Sequence, residues 1–211
     1  MTKPLNENTS ITNEEMNELP LGAFDGKIVI ISDPHELAAA FEEISTHSII
    51  GFDTETKPVF VKGHYNKVAI LQIALPEKVF LIRLMATSIT PEVIKFFQDE
   101  EIKKAGVAIR DDIKALQHLK RFKPAGFVEL AQLAKASGLE VESVKKLTAL
   151  LLGFRISKSA QTSNWEAEQL NEKQISYAAT DAWVCLKIYE KLKAQISDHI
   201  STPSKSAAAE D

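Results

Sequence analysis

Four acids and a tyrosine stand in three separated motifs of this 211-residue chain: Asp53 and Glu55 in GFDTET, Asp112 in GVAIRDD, and Tyr177 with Asp181 in YAATD. Together they read as a site for cutting phosphodiesters with two divalent metal ions. Such a cut builds negative charge on the attacking and leaving oxygens, and two cations about 3.5–4 Å apart stabilise both at once. Such cations take hard oxygen ligands, and Mg²⁺ in particular keeps much of its own water. The carboxylates of Asp53, Glu55, Asp112 and Asp181 are therefore a sufficient protein contribution.

Each motif needs an element to aim it. In IIGFDTET a strand pleat puts Asp53 and Glu55 on one face and turns Thr54 away. Buried carboxylates on an apolar strand need partners, which metal ions would supply; a strand end emerging into water is the competing explanation. In KKAGVAIRDDIKAL an apolar strand enters a glycine-containing turn and then a helix whose first turn holds Asp111 and Asp112. Acids there also suit the helix dipole and cap, and position alone leaves the choice between the two open. Tyr177 and Asp181, four apart on a helix, share a face with Cβ atoms about 5–6 Å apart. Ala178, Ala179 and Ala182 are expected to keep that surface thin, so that metal or substrate can approach. A tyrosine titrating near ~10 is a poor base, but beside a metal-bound water it can orient the nucleophile or relay its proton. A core tyrosine bonded to a helix acid is the alternative. All three motifs falling in order by chance is far less frequent than any one of them.

The elements around these motifs run strands first, then strands alternating with helices. KIVIIS at 27–32 is a β-branched run, and ELAAAFEEI after the Asp33-Pro34 turn has helical spacing. IIGFDTET, KVAILQIAL and KVFLIRL read as an antiparallel meander. Thr90-Pro91 opens a helix, IKKAGVA reads as strand, DDIKALQHL as helix and AGFVEL as strand. Further helices are expected near 143–152 and 171–195, the second capped by Asn171. This order predicts an α/β fold with a mixed sheet of five or six strands flanked by helices.

Length and a 45% hydrophobic content suit one globular domain. The polar ends, residues 1–20 and 201–211, read as flexible tails around a single domain at 21–200. No apolar run or leader pattern points to a membrane or to export. The single cysteine, Cys185, excludes an intrachain disulfide, reads as a buried small residue and fits a reducing, cytoplasmic setting. The net charge of −4 resides in the tails, −3 in residues 1–20 and −1 in 201–211, so the body is neutral. Its cations gather at 102–123 (Lys103, Lys104, Arg110, Lys114, Lys120, Arg121, Lys123) and at 143–165 (Lys145, Lys146, Arg155, Lys158). Either stretch is a candidate phosphate-binding face beside the acids, where binding would weaken as salt rises. Phe60, Tyr65, Phe154 and Trp165 are candidates to stack on terminal bases.

With these motifs in hand, residues 27–195 resemble the DEDD exonuclease superfamily in its tyrosine-bearing DEDDy branch, closest to ribonuclease D-like and Werner-type 3′-to-5′ exonuclease domains. FDTET corresponds to the first motif, and Tyr177 with Asp181 to the third. The second motif places its aspartate six residues after a glycine, which from Gly106 selects Asp112. Many members carry asparagine where this chain has Ala108, a departure shared in kind with Werner-type domains. KSAQTSNW also resembles the family segment before the last helix, which implies that Lys158, Ser163, Asn164 and Trp165 lie near substrate or brace the site. The resemblance implies an RNase H-like fold, two Mg²⁺ or Mn²⁺ ions, and release of nucleoside 5′-monophosphates from the 3′ end of DNA or RNA. Two rival readings remain at this level. One is a non-catalytic nucleic-acid-binding or interaction module on the same fold, against which the intact acids count. The other is an endonuclease using similar metals.

Overall fold

The computed structural model describes residues 9–60, 63 and 65–201. The β-branched runs become strands: β1 (Lys27–Ile31), β2 (Ile49–Thr56), β3 (Val68–Ala74), β4 (Lys78–Arg83), β5 (Lys103–Gly106) and β6 (Phe127–Glu129). They form one sheet in the order β1-β4-β3-β2-β5-β6. β2, β3 and β4 make the antiparallel meander, while β1 joins β4 in parallel and β5 and β6 extend β2 in parallel. Parallel neighbours need crossovers, and the intervening helices provide them. In chain order the helices are α1 (Asn13–Glu18), α2 (Leu37–Ile44), α3 (Leu84–Thr87), α4 (Pro91–Gln98), α5 (Ile109–Leu119), α6 (Leu130–Ala136), α7 (Val144–Leu152) and α8 (Glu172–Ser201). The mixed six-stranded sheet expected from the sequence is therefore present, with α8 reaching beyond the anticipated residue 195.

Two apolar layers sandwich the sheet. On one face Ile50, Phe52, Leu71, Ile73, Phe80 and Ile82 pack with residues of α2, α4 and α5. On the other, Ala69, Ile70, Val79, Leu81 and Ala105 pack against α6, α7 and α8. Alternation along β2 turns Gly51 toward α8, and the approach is of backbone on backbone: a Cβ at Gly51 would stand 1.9 Å from the Ala182 carbonyl oxygen and 3.0 Å from the Leu186 nitrogen. Ala178, Ala179 and Ala182 are 0% exposed. Their small size seats the helix on the sheet and does not open its surface to a ligand, which corrects the expectation placed on them.

Residues 9–20 also depart from the flexible tail expected over 1–20. Thr12 and Glu15 form a reciprocal cap on α1, with the Thr12 N–H donating to Glu15 Oε2 at 2.8 Å and the Glu15 N–H to Thr12 Oγ1 at 3.2 Å. The Glu140 N–H donates to the Thr9 carbonyl at 2.8 Å, the Arg155 N–H to that of Pro20 at 2.9 Å, and Arg155 Nε to that of Leu19 at 3.0 Å. Main-chain bonds fasten this polar stretch, and composition does not register them. Residues 1–8 and 202–211, the remainder of the two expected tails, lie outside the described residues. Among the described residues no helix is long and apolar enough to cross a membrane.

Candidate active site

β2 runs through the middle of the sheet and presents its acids toward α8. The register sets Asp53 opposite Gln72 of β3 and Glu55 opposite Ile70, and pairing slips directly after Glu55. α8 begins where Asn171 and Gln174 cap each other, the Gln174 N–H donating to Asn171 Oδ1 at 3.0 Å and the Asn171 N–H to Gln174 Oε1 at 3.1 Å. The helix then carries Tyr177 and Asp181 over β2, both buried, at 7% and 5% exposure. One carboxylate oxygen from each of Asp53, Glu55 and Asp181 lies within 4.8 Å of the others.

Asp112 reaches the site by another route. Ala108 opens α5 in the left-handed conformation, φ +59°, without a side-chain cap. Asparagine tolerates that backbone better than alanine does. The cap comes from Glu129 at the end of β6, whose carboxylate accepts the N–H groups of Ala108 and Ile109, both at 3.1 Å, and that of Ala131 at 3.2 Å. Thr54, turned away from the faces of Asp53 and Glu55 as expected, donates its hydroxyl to Asp112 Oδ1 at 2.6 Å. Asp111 instead points to solvent and pairs with Lys114 at 2.9 Å. The structure thus distinguishes the two neighbours: Asp112 adjoins the three-carboxylate group through Thr54, and Asp111 does not.

The acids perturb one another. Burial drives the Asp53 carboxyl well above its ordinary range, and Asp181, Asp112 and Glu55 drive it further. Burial, then Asp181 and Asp112, push Glu55 up to about 9. Burial raises Asp112 and Asp181 each to about 6, against the lowering effects of the Thr54 hydroxyl on the first and of Tyr177 and Lys145 on the second. Burial, then the neighbouring carboxylates, raise the Tyr177 hydroxyl so that it stays protonated. Asp181 Oδ1 is buried without a hydrogen-bond partner among the described residues. Crowded oxygen donors that resist ionisation, with one carboxylate oxygen orphaned, fit divalent cations, which would reverse each of these shifts. Asp53, Glu55 and Asp181 could hold them, with Asp112 alongside.

A cavity of about 540 Å³ opens over this group, lined by Asp53, Glu55, Tyr177 and Asp181 together with Lys145, Gln161 and Cys185. Cys185 is buried, as expected. Of the segment before α8, Trp165 is 0% exposed. Its ring lies 6.0 Å from that of Tyr177, so it braces the tyrosine and is no platform for a base. Ser163 and Asn164 shape the turn: the Ser163 N–H donates to the Ala160 carbonyl at 3.0 Å, and Asn164 Oδ1 accepts the Glu166 N–H at 3.2 Å. Lys158 is exposed. Phe154 stacks on Trp183 at 6.0 Å and 25°, which removes it from the stacking candidates. Phe60 and Tyr65, in the segment after β2, are 90% and 93% exposed.

The basic stretch 102–123 is not one face. Lys104 is 0% exposed; its ammonium donates to the carbonyls of Asp99 and Ala125 and sits 5.0 Å from the centre of the Phe96 ring. Lys103 pairs in register with Ile49, so it lies about 13 Å before Asp53 at ~3.3 Å per residue. Sequence reasoning also missed the parts played by Thr54, Gln72 and Glu129. Gln72 is 0% exposed, lies across from Asp53, and its side chain favours the charged form of Glu55. The one polar residue inside VAILQIA was the available signal for it.

Comparison with known proteins identifies the family and the fold. The sequence model of the 3′-5′ exonuclease family matches residues 28–197. The bifunctional 3′-5′ exonuclease/ATP-dependent helicase WRN of Mus musculus is 34% identical over 186 residues, which cover 83% of this chain and 13% of that protein. The Aedes aegypti Nibbler EXO domain superposes with a TM-score of 0.74 at 25% identity, covering 85% of this chain and 94% of that one. Escherichia coli RNase D superposes with a TM-score of 0.74 at 23% identity, covering 84% and 47%, and its likeness identifies the sheet and helices as RNase H-like. The chain spans between 13% and 27% of the length of the first curated relatives it matches. A match that takes in every strand but the first residue of β1, on the fold those relatives share, makes this chain a member of the 3′-5′ exonuclease family of enzymes.

Proposed function

We propose that this chain shortens DNA or RNA from the 3′ end, hydrolysing the terminal phosphodiester and releasing nucleoside 5′-monophosphates, with two Mg²⁺ or Mn²⁺ ions as cofactors. The observation that carries the proposal is the gathering of Asp53, Glu55 and Asp181 within 4.8 Å under one cavity. Asp53, Glu55 and Asp181 would hold the ions, with Asp112, held beside them by Thr54, joining directly or through water. When bound, the ions would offset charge building on the attacking and leaving oxygens. Tyr177 lines the same cavity, where its hydroxyl would orient the attacking water. Trp165 behind it fixes the ring and excludes solvent from that side. The exposed side chains of Lys158, Phe60 and Tyr65 are available to the phosphates and bases of the incoming strand.

The test is incubation of the purified protein with 5′-labelled single-stranded DNA and RNA of one sequence, in Mg²⁺, Mn²⁺ or EDTA, with products resolved over time. A metal-dependent ladder shortening from the 3′ end is expected, with circular substrates resistant and D53A inactive though folded. Cleavage of circles would indicate an endonuclease. Salt-sensitive binding without any cleavage would replace the proposal with a binding module.

A further inference from the structure

Lys145 lies in the first turn of α7, two residues past the Ser143 cap. It lines the same cavity as Asp53, Glu55 and Asp181. Its Nζ is buried and has no hydrogen-bond partner among the described residues. The ion pairs found among those residues do not include it, so it stops short of every carboxylate in the cavity. Asp181 Oδ1 is unpartnered in the same way.

Lys145 and Asp181 attract each other across the cavity without touching, so Lys145 Nζ and Asp181 Oδ1 are each left without a direct partner, an arrangement that is costly unless something completes both. A cation would complete the carboxylate. The ammonium requires an anion, and it lines the cavity that a substrate must enter. The start of α7, a nine-residue helix, adds its own positive field at that point. A phosphodiester held between the acid cluster with its cations and the lysine would satisfy all parties.

We propose that Lys145 binds the scissile phosphate, its Nζ donating to a non-bridging oxygen within the cavity it shares with Asp53, Glu55 and Asp181. This rests on reading the acids as a phosphodiester-cleaving site. It separates Lys145 from the exposed Lys158, whose side chain serves phosphates outside the cavity. The charge on the non-bridging oxygens is drawn more strongly in the transition state than in the bound substrate, so Lys145 contributes chiefly to turnover.

The experiment compares wild type, K145M and K145R in three measurements. The first is single-turnover cleavage of a 5′-labelled oligonucleotide in Mg²⁺. The second is affinity for that oligonucleotide by fluorescence anisotropy with Ca²⁺ in place of Mg²⁺. The third is Mn²⁺ affinity without nucleic acid. K145M should lower the saturating rate by about 100- to 1,000-fold, the scale of losing one donor to developing charge. It should weaken oligonucleotide binding by a smaller factor, leave Mn²⁺ affinity unchanged or tighter, and be partly rescued by K145R. A K145M protein with wild-type turnover and wild-type oligonucleotide affinity would overturn the assignment. So would a loss of turnover accompanied by equally weakened Mn²⁺ binding, because the lysine would then only brace the acids. Should wild type cleave nothing, the catalytic reading fails by itself, and the anisotropy of K145M still decides whether Lys145 holds phosphate.

Discussion

Gly51→Ala places one methyl group where β2 and α8 touch. The added carbon would start 1.9 Å from the Ala182 carbonyl oxygen, and ordinary contact begins at 3.4 Å, so strand and helix must separate by about 1.5 Å. The obstructing atom is helix backbone and has no rotamer to yield. Overfilling a packed interior typically costs ~1–3 kcal/mol, and a domain of this size loses ~2–4 °C of melting temperature per kcal/mol. The larger effect falls on chemistry, because Asp181 immediately precedes Ala182 and Asp53 lies two residues beyond Gly51. A misplacement of ~1 Å between groups that must act together can remove ~100-fold in rate. G51A should therefore melt a few degrees lower and, at a temperature where it remains folded, cleave at least ~100-fold more slowly than wild type. Thermal melting by circular dichroism and single-turnover cleavage measure the two effects separately. A variant melting within ~1 °C of wild type and cleaving within ~3-fold would refute the claim that backbone contact between β2 and α8 sets the spacing of the acids.

Other outcomes follow from the same contacts. Glu55 is raised from 4.5 to about 9, so across that window the folded chain binds the proton that the unfolded chain has lost. Stability in EDTA should accordingly fall as pH rises through the window, E55Q should flatten the fall, and Mg²⁺ or Mn²⁺ should oppose it; a flat wild-type melting profile in EDTA would count against the crowding of the acids. K104M should leave oligonucleotide affinity within ~2-fold, whereas K158M should reduce the salt dependence of single-strand binding by a slope of ~0.7, and equal effects of the two would place Lys104 on the surface. A108G should raise stability by ~0.5–1 kcal/mol by relieving a left-handed alanine, with a lowered melting temperature as the contrary result. E129A should lower stability by ~0.5–2 kcal/mol through the lost cap of α5 and loosen Asp112; unchanged melting would show that water replaces the carboxylate.

Local periodicity made much of this legible before any coordinates. The period of two along IIGFDTET put Asp53 and Glu55 together and Thr54 apart, and the helical spacing of Tyr177 and Asp181 did the same on α8, because both rules are set by backbone geometry alone. What failed depended on contacts distant in sequence. Lys104 looks like one of several surface cations until the aromatic rings of Phe96 and Phe127 and the carbonyls of Asp99 and Ala125 close over it. Trp165 and Phe154 look like free aromatic faces until Tyr177 and Trp183 cover them. The alanines of α8 carry no sign of whether they meet a ligand or a strand. Asp111 and Asp112 are equivalent to any rule of spacing, and the hydroxyl of Thr54 distinguishes them.

The docking of α8 on β2 also has a temporal side. The first acids belong to the strand at the centre of the sheet, while Tyr177 and Asp181 sit on the last helix, after every strand has been made. In order of synthesis all six strands of the sheet precede Asp181, so the cluster draws its members from widely separated moments of translation. The carboxylate cluster is thus complete only when α8 is docked on the sheet, whichever element folds first.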